Sequence, residues 1–428
     1  MTRETILHDV KEIEERVILV GIDLDQPLEK NTMDTEACLD ELEELAKTAG
    51  AITVGRMTQK RERPHTSLYL GKGKVEELKI MIAACDATGI ICDDELSPAQ
   101  LKNLEQLLKT KIMDRTMLIL DIFASHAVSR EGKIQVELAQ LKYRLSRLIG
   151  IGASMSRLGG GIGTRGPGEK KLEIDRRYIK ERISELNKEL KEIETHRILL
   201  RSQRGKKGIP VVSMVGYTNA GKSTLMNCLT NAGVLAEDKL FATLDTTTRD
   251  VELPNSSHIL LIDTVGFIQK LPHHLIQAFQ ATLEELQYSD ILLHVVDCFN
   301  AKREEQMEVV YKTLKDLGCE NTPIITVYNK MDKEVELPLP VDNKARNCIK
   351  ISAKTKQGTQ EMLLEIEQLL KEFRQPIKVL LPYTEGSLVS YIHTRCEILS
   401  EEHTENGIKL QIYADDELKN RLQKYEIS

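Results

Sequence analysis

Tryptophan is absent from the 428 residues, phenylalanine occurs 6 times, and aromatic residues make up 4% of the chain. Aromatic platforms for stacking nucleic-acid bases are therefore not expected. The eight cysteines stand singly at positions 38, 85, 92, 228, 298, 319, 348 and 396 with no C-x-x-C pair, which argues against a zinc site or a disulfide framework. They read as reduced and mostly buried thiols. Also missing is any apolar run approaching the length of a membrane span, and the opening MTRETILHDV has no apolar core of a signal peptide. The expected protein is soluble and cytoplasmic, with partial membrane association left open. No internal repeat is visible, and 428 residues accommodate about three domains.

Charge is present but uneven. The net charge is −7, yet Gln140 to Lys207 carries 18 Lys and Arg against 8 Asp and Glu, a surplus of +10. A basic segment in an acidic chain points to one face made for a polyanion; the alternative is a solvated helix surface.

The most informative stretch is Val215 to Leu225, VGYTNAGKSTL. Gly216, Tyr217, Thr218, Asn219, Ala220, Gly221, Lys222, Ser223 and Thr224 fit the G-x-x-x-x-G-K-[ST] phosphate-binding loop. An apolar run, Ile209 to Val215, precedes it and a helical pattern follows, which is the strand–loop–helix context the chemistry needs. Glycines let backbone N–H groups face an anion, Lys222 reaches the β- and γ-phosphates, and the Ser223 hydroxyl holds Mg²⁺. Three later stretches supply the rest of a guanine nucleotide site in order. Asp263-Thr264-Val265-Gly266 ends a strand, placing a carboxylate near the metal and an N–H at the γ-phosphate. Asn329-Lys330-Met331-Asp332 ends another, and the Asp332 carboxylate accepts the paired donors that guanine has and adenine lacks. Ser352-Ala353-Lys354 offers a backbone N–H to the guanine O6.

Residues 1–125 alternate strand-like and helical runs: Arg16–Ile22, Thr35–Ala49, Ala51–Met57, Lys74–Ala84, Ile90–Cys92, Pro98–Lys109 and, closing the alternation, Thr116–Ile122. That rhythm predicts a parallel sheet covered by helices. Leu70 to Lys74, LGKGK, reads as a surface turn more readily than as an anion site. In residues 126–205 the period changes. Ile134, Leu138, Leu141, Leu145 and Leu148, then Ile179, Ile183, Leu186, Leu190 and Ile193, give two narrow apolar seams that predict an antiparallel helical hairpin. Its tip, about residues 150–171, is rich in glycine. Gly159, Gly160 and Gly161 permit close approach of the backbone to RNA, while Arg157, Arg165, Lys170 and Lys171 supply phosphate contacts. Residues 206–374 form the P-loop domain. The segment 375–428 reads as a small β-α-β-β-α domain with 6 basic and 9 acidic residues, a balance that favours a protein contact over RNA. The fold class is α/β: an N-terminal parallel α/β domain with an antiparallel two-helix hairpin, a P-loop GTPase domain and a small α+β C-terminal domain.

The stretch GGGIGTRGPGEKKLEIDRR at Gly159 to Arg177, followed by FATLD at Phe241 to Asp245 and DTVGFI at Asp263 to Ile268, resembles the HflX family of ribosome-associated GTPases. The resemblance spans nearly the whole chain. It implies GTP hydrolysis with Mg²⁺, binding to the large ribosomal subunit and its rRNA, and a part in splitting stalled or idle ribosomes under stress. The Thr-rich segment Leu240 to Asp250, lying between the phosphate loop and Asp263, contains the first switch, with Phe241, Ala242, Thr243, Leu244 and Asp245 as candidate nucleotide contacts, and the resemblance implies that Thr243 closes on Mg²⁺ and the γ-phosphate. Thr246 and Thr247 are rivals for that role. Lys222, Thr243 and Gly266 are then the catalytic group. Phe267 stands where Ras-like enzymes carry a water-orienting Gln, so slow intrinsic hydrolysis, or simple packing of the ring, is expected. Asn219 resembles a residue that admits K⁺, which makes K⁺ a further candidate cofactor. A monomer is expected. Two other functions remain: an RNA-binding assembly or anti-association factor that uses GTP only to hold a conformation, and an RNA-remodelling NTPase with an added ATP site in the N-terminal domain.

Overall fold

The computed structural model describes residues 14–24, 34–156, 167–205, 209–230, 240–241, 247–270, 283–333, 338–373, 376–396, 398–414 and 416–427. The chain forms two units: Met1–Leu190 with Asp238–Leu244 and Ile268–Phe279, and Lys191–Glu237 with Asp245–Phe267 and Gln280–Ser428.

The first unit is built on a parallel four-stranded sheet, with strands β1 (Arg16–Leu24), β2 (Ile52–Arg61), β3 (Gly89–Cys92) and β4 (Lys111–Asp114) in the order β2-β1-β3-β4. Helices α1 (Thr35–Thr48), α2 (Lys72–Ala84), α3 (Pro98–Leu108) and α4 (Arg115–His126) connect and follow them. β1 is buried along most of its length, which is why it reads as a continuous apolar run. α1 starts where the Asp34 carboxylate accepts the Ala37 N–H at 2.7 Å, and it buries Cys38, Leu39, Leu42, Leu45 and Ala46 along one face. α3 opens with a Ser97–Gln100 capping box and a proline in its first turn. The Gly71 N–H at the start of α2 donates to Gln59 Oε1 at 2.8 Å.

One expectation fails here. Thr116–Ile122 is not the last strand of the alternation; it lies in α4, and the strand is the four residues before it. Asp114 explains the early turn into helix, since its carboxylate caps the Met117 N–H at 2.9 Å. The apolar run misled because α4 buries Leu118, Ile119, Leu120, Ile122 and Phe123, so its burial carries no clear helical period.

Helices α5 (Arg130–Ser156) and α6 (Pro167–Gly205) follow. Glu137 pairs with Arg182 at 2.8 Å, Arg130 with Glu189 at 3.2 Å, and the Arg176 guanidinium reaches the Leu148 carbonyl. Partners that rise in number on one helix fall on the other, which defines an antiparallel hairpin. Both helices run further than the apolar seams indicate. α5 takes in residues 150–156 and α6 begins at 167, so part of the stretch assigned to the tip loop is helical.

The second unit contains a six-stranded sheet in the order β10-β9-β8-β5-β7-β6, with strands β5 (Val211–Gly216), β6 (Thr247–Glu252), β7 (His258–Asp263), β8 (Ile291–Asp297), β9 (Ile324–Asn329) and β10 (Asn347–Lys350). All neighbours are parallel except β6 and β7. Helices α7 (Lys222–Thr230), α8 (Arg303–Asp316) and α9 (Thr359–Phe373) belong to it. β5 lies between β7 and β8, so successive connections leave it in opposite directions. A ligand crevice opens at such a switch point, beyond the carboxyl ends of the strands. The C-terminal part carries β11 (Pro376–Leu381), α10 (Gly386–Arg395), β12 (Ile398–Thr404), β13 (Gly407–Tyr413) and α11 (Asp416–Leu422), with the three strands antiparallel in the order β11-β13-β12.

Candidate guanine nucleotide site

Four strand ends of the second unit deliver the motif residues. β5 ends at Gly216 and hands the chain to the loop Tyr217 to Gly221, from which α7 starts at Lys222. Gly221 has φ +95°, and a Cβ there would lie 2.3 Å from Asn329 Nδ2. Only glycine admits that approach, and the Asn329 amide uses it to donate to the Ala220 carbonyl at 3.0 Å. The Lys222 ammonium donates to the carbonyls of Gly216 (3.1 Å) and Tyr217 (2.9 Å), and the residue is 6% exposed. Burial pushes its pKa down to about 8, with Asp263 opposing the shift. A cation desolvated against carbonyl oxygens is poised for an anion.

At the end of β7, Asp263 is fully buried and its Oδ2 accepts the Ser223 hydroxyl at 2.8 Å. The neighbouring Thr264 hydroxyl donates to the Met214 carbonyl at 2.6 Å, tying this corner to β5. A Cβ on Gly266 would meet Thr218 Cα at 2.8 Å and Lys222 Nζ at 3.0 Å, so the Gly266 backbone sits directly against the loop. Ser223 and Asp263 are adjacent hard oxygen donors of the kind Mg²⁺ takes from a protein, the remaining ligands being phosphate and water. The residues therefore fit that ion.

At the base end, the Asn329 carbonyl oxygen Oδ1 accepts the Ala353 N–H at 3.0 Å, so one amide side chain joins the phosphate loop to the Ser352–Lys354 turn. The Asp332 carboxylate accepts the Ser352 hydroxyl at 2.6 Å. That bond holds its pKa below the ordinary carboxylate value, so Asp332 is an anion at neutral pH, ready for two donors. Lys330 extends its ammonium to the Asn219 carbonyl at 2.9 Å.

Phe267 is 2% exposed in a core cluster with Val215, Leu283 and Leu286. Its backbone, not its ring, serves the site: its N–H donates to Gly216 and its carbonyl accepts from Thr218 at 2.8 Å. Phe241 lies in the first unit, its ring 4.7 Å edge-on from Phe123, and is not among the residues gathered here. Ala242, Thr243, Leu244, Asp245 and Thr246 lie outside the described residues, as do Arg157, Gly159, Gly160, Gly161 and Arg165. Lys170 and Lys171 lie in the first turns of α6. Two residues of β8 near the site belong to no motif of the sequence, the half-buried Asp297 and the buried His294. Asp297 carried a usable signal, since it ends an apolar run as Asp263 does.

A phosphate loop at the switch point, a strand-end carboxylate beside its serine and an Asn-Lys-x-Asp turn facing a Ser-Ala-Lys turn define a P-loop GTPase. Residues 36–124 match the family described as GTP-binding GTPase N-terminal, 126–204 its middle region, and 211–330 the family described as 50S ribosome-binding GTPase. The GTPase HflX of Lacrimispora saccharolytica is 56% identical over 97% of this chain and 97% of its own. That of Escherichia coli K12 is 40% identical over 87% and 89%. Among solved structures, a GTP-binding protein of Sulfolobus solfataricus in complex with GDP is 25% identical over 83% of this chain and 99% of its own, with a TM-score of 0.44. The chain belongs to the HflX family of GTPases, and GTP is its substrate.

Proposed function

We propose that this GTPase binds the large ribosomal subunit as a monomer and couples GTP binding and hydrolysis to that association, splitting or recycling stalled or idle ribosomes under stress. The observation that carries the reading is the antiparallel α5–α6 hairpin, whose connection bears the basic, glycine-rich tip. The description of the family matched by residues 211–330 supports the same partner. Arg157, Arg165, Lys170 and Lys171 contact rRNA phosphates, and Gly159 to Gly161 let the backbone come close.

In the nucleotide site the loop N–H groups and Lys222 hold the β- and γ-phosphates, which stabilise on Lys222 the charge that burial disfavours. Asp332 accepts the guanine N1–H and 2-amino donors, and the Ala353 N–H faces O6. Ser223 and Thr243 hold Mg²⁺, which neutralises charge on the transferring phosphoryl group. The Gly266 N–H and Thr243 respond to the γ-phosphate, so its loss on hydrolysis releases both. Phe267 cannot orient water from its core position; a K⁺ ion held through Asn219, or the bound ribosome, completes the site.

Steady-state GTP hydrolysis with and without purified large subunits tests this, comparing the wild type with a deletion of Gly159 to Gly163. Stimulation that disappears with the tip is expected. Stimulation unchanged by the deletion would reduce the tip to a linker, and no stimulation by wild type would remove the large subunit as the partner.

A further inference from the structure

Asp297 ends β8, next to the nucleotide loop, and no motif of the site includes it. Its two carboxylate oxygens do different things. Oδ1 accepts the Phe299 N–H at 3.0 Å, which fixes the carboxylate in the turn that leaves the strand. Oδ2 accepts the Lys330 ammonium at 2.8 Å, with side chains only 16% and 21% exposed. The same ammonium donates to the Asn219 carbonyl at 2.9 Å. Both ends of this bridge have unusual backbone: Lys330 has φ +67° and Asn219 has φ +59°. Non-glycine residues hold such conformations only where neighbours over-determine them. The Cys298 N–H donates to the Asn329 carbonyl at 3.1 Å, lacing the ends of β8 and β9 together beneath the bridge.

From this geometry we propose that Asp297 is a positioning residue for nucleotide binding, orienting Lys330 so that its ammonium pins the Asn219 carbonyl and holds the phosphate loop in its binding shape. The carboxylate also balances the lysine charge where little water reaches it. Without Asp297 the lysine keeps one carbonyl partner and regains rotamer freedom, and the left-handed turn at Asn219 loses its brace. Asp297 touches neither base nor phosphate in this role; it acts through Lys330.

The test measures dissociation of a fluorescent GDP analogue, with Mg²⁺ and without ribosomes, from the full-length wild type and from Asp297→Ala, Lys330→Ala and the double variant. Losing a charge-assisted hydrogen bond, Asp297→Ala is expected to speed release about tenfold in the wild type. In the Lys330→Ala background it should change release by less than about twofold, because the two residues form one unit. Discrimination against the ADP analogue should stay intact, since Asp332 is untouched. A tenfold effect that persists in the Lys330→Ala background, or no effect in the wild type, overturns the proposal. Should Asp297→Ala fail to fold, Asp297→Asn carries the same cycle; its oxygen still accepts the Phe299 N–H but cannot balance the lysine charge. The inference rests on guanine nucleotide binding alone, so its failure leaves the ribosome reading standing.

Discussion

Two buried cations, one in each unit, show how a parallel α/β sheet uses charge. Arg115 in the first unit is 2% exposed and pairs with Asp93 at 2.7 Å and with Glu41. Asp93 also takes the Lys270 ammonium, which reaches Asp94 at 2.7 Å. Burial would raise the Asp93 pKa, but Arg115 and Lys270 hold it below the ordinary value. Lys222 in the second unit is also buried; it donates to two carbonyl oxygens, and the charge of the Asp263 carboxylate opposes the effect of that burial. In the first cluster each cation lies at hydrogen-bond distance from two carboxylates. A buried cation paired directly with carboxylates is structural; one held by carbonyl oxygens marks a candidate ligand site.

Breaking the first cluster should have the largest effect. Arg115→Met leaves Asp93 and Glu41 buried without their shared partner, and urea unfolding should show a loss of about 3–5 kcal/mol. Next comes a residue that the site's fold keeps neutral. His294 on β8 is 1% exposed, its Nδ1 lacks a hydrogen-bond partner, and burial lowers its pKa to about 4. The unfolded chain takes up that proton near pH 6.5 and the folded chain only near pH 4. Stability is therefore complete above about pH 6.5 and falls as the pH drops toward 4, by up to about 3 kcal/mol from this residue. Unfolding curves across that window should be visibly flatter for His294→Gln than for wild type. Asp332→Ala should weaken GDP binding by about 2 kcal/mol, roughly thirtyfold, through loss of the carboxylate proposed to accept the base donors. Isothermal titration with GDP and ADP checks it, and the variant should lose preference for guanine with little loss of stability, since Asp332 is exposed.

The same contrast explains what could be read from the sequence. The phosphate loop, Asp263 to Gly266, Asn329 to Asp332 and Ser352 to Lys354 were legible because their chemistry dictates residue identity at fixed spacing, and each follows an apolar strand. The hairpin was legible from two heptad-like seams. The charge cluster of the first unit was not, because Glu41, Asp93, Arg115 and Lys270 come from four separated segments and look like surface charges. α4 was missed because helix burial on several sides erased the period. Asp297 was overlooked although it ends an apolar strand, since no motif names that position.

The central claim is that Lys222 is a buried cation, held by carbonyl oxygens and only partly offset by Asp263, whose charge the nucleotide phosphate balances. Thermal unfolding of wild type and Lys222→Met, each with and without GDP and Mg²⁺, tests it most directly. Replacing a charge that burial disfavours with an apolar side chain of similar length should make the nucleotide-free variant more stable, by about 2 kcal/mol. GDP should raise the wild-type midpoint and leave the variant unmoved. A variant less stable than wild type without nucleotide, yet still stabilised by GDP, would place Lys222 among the structural charges and contradict the account.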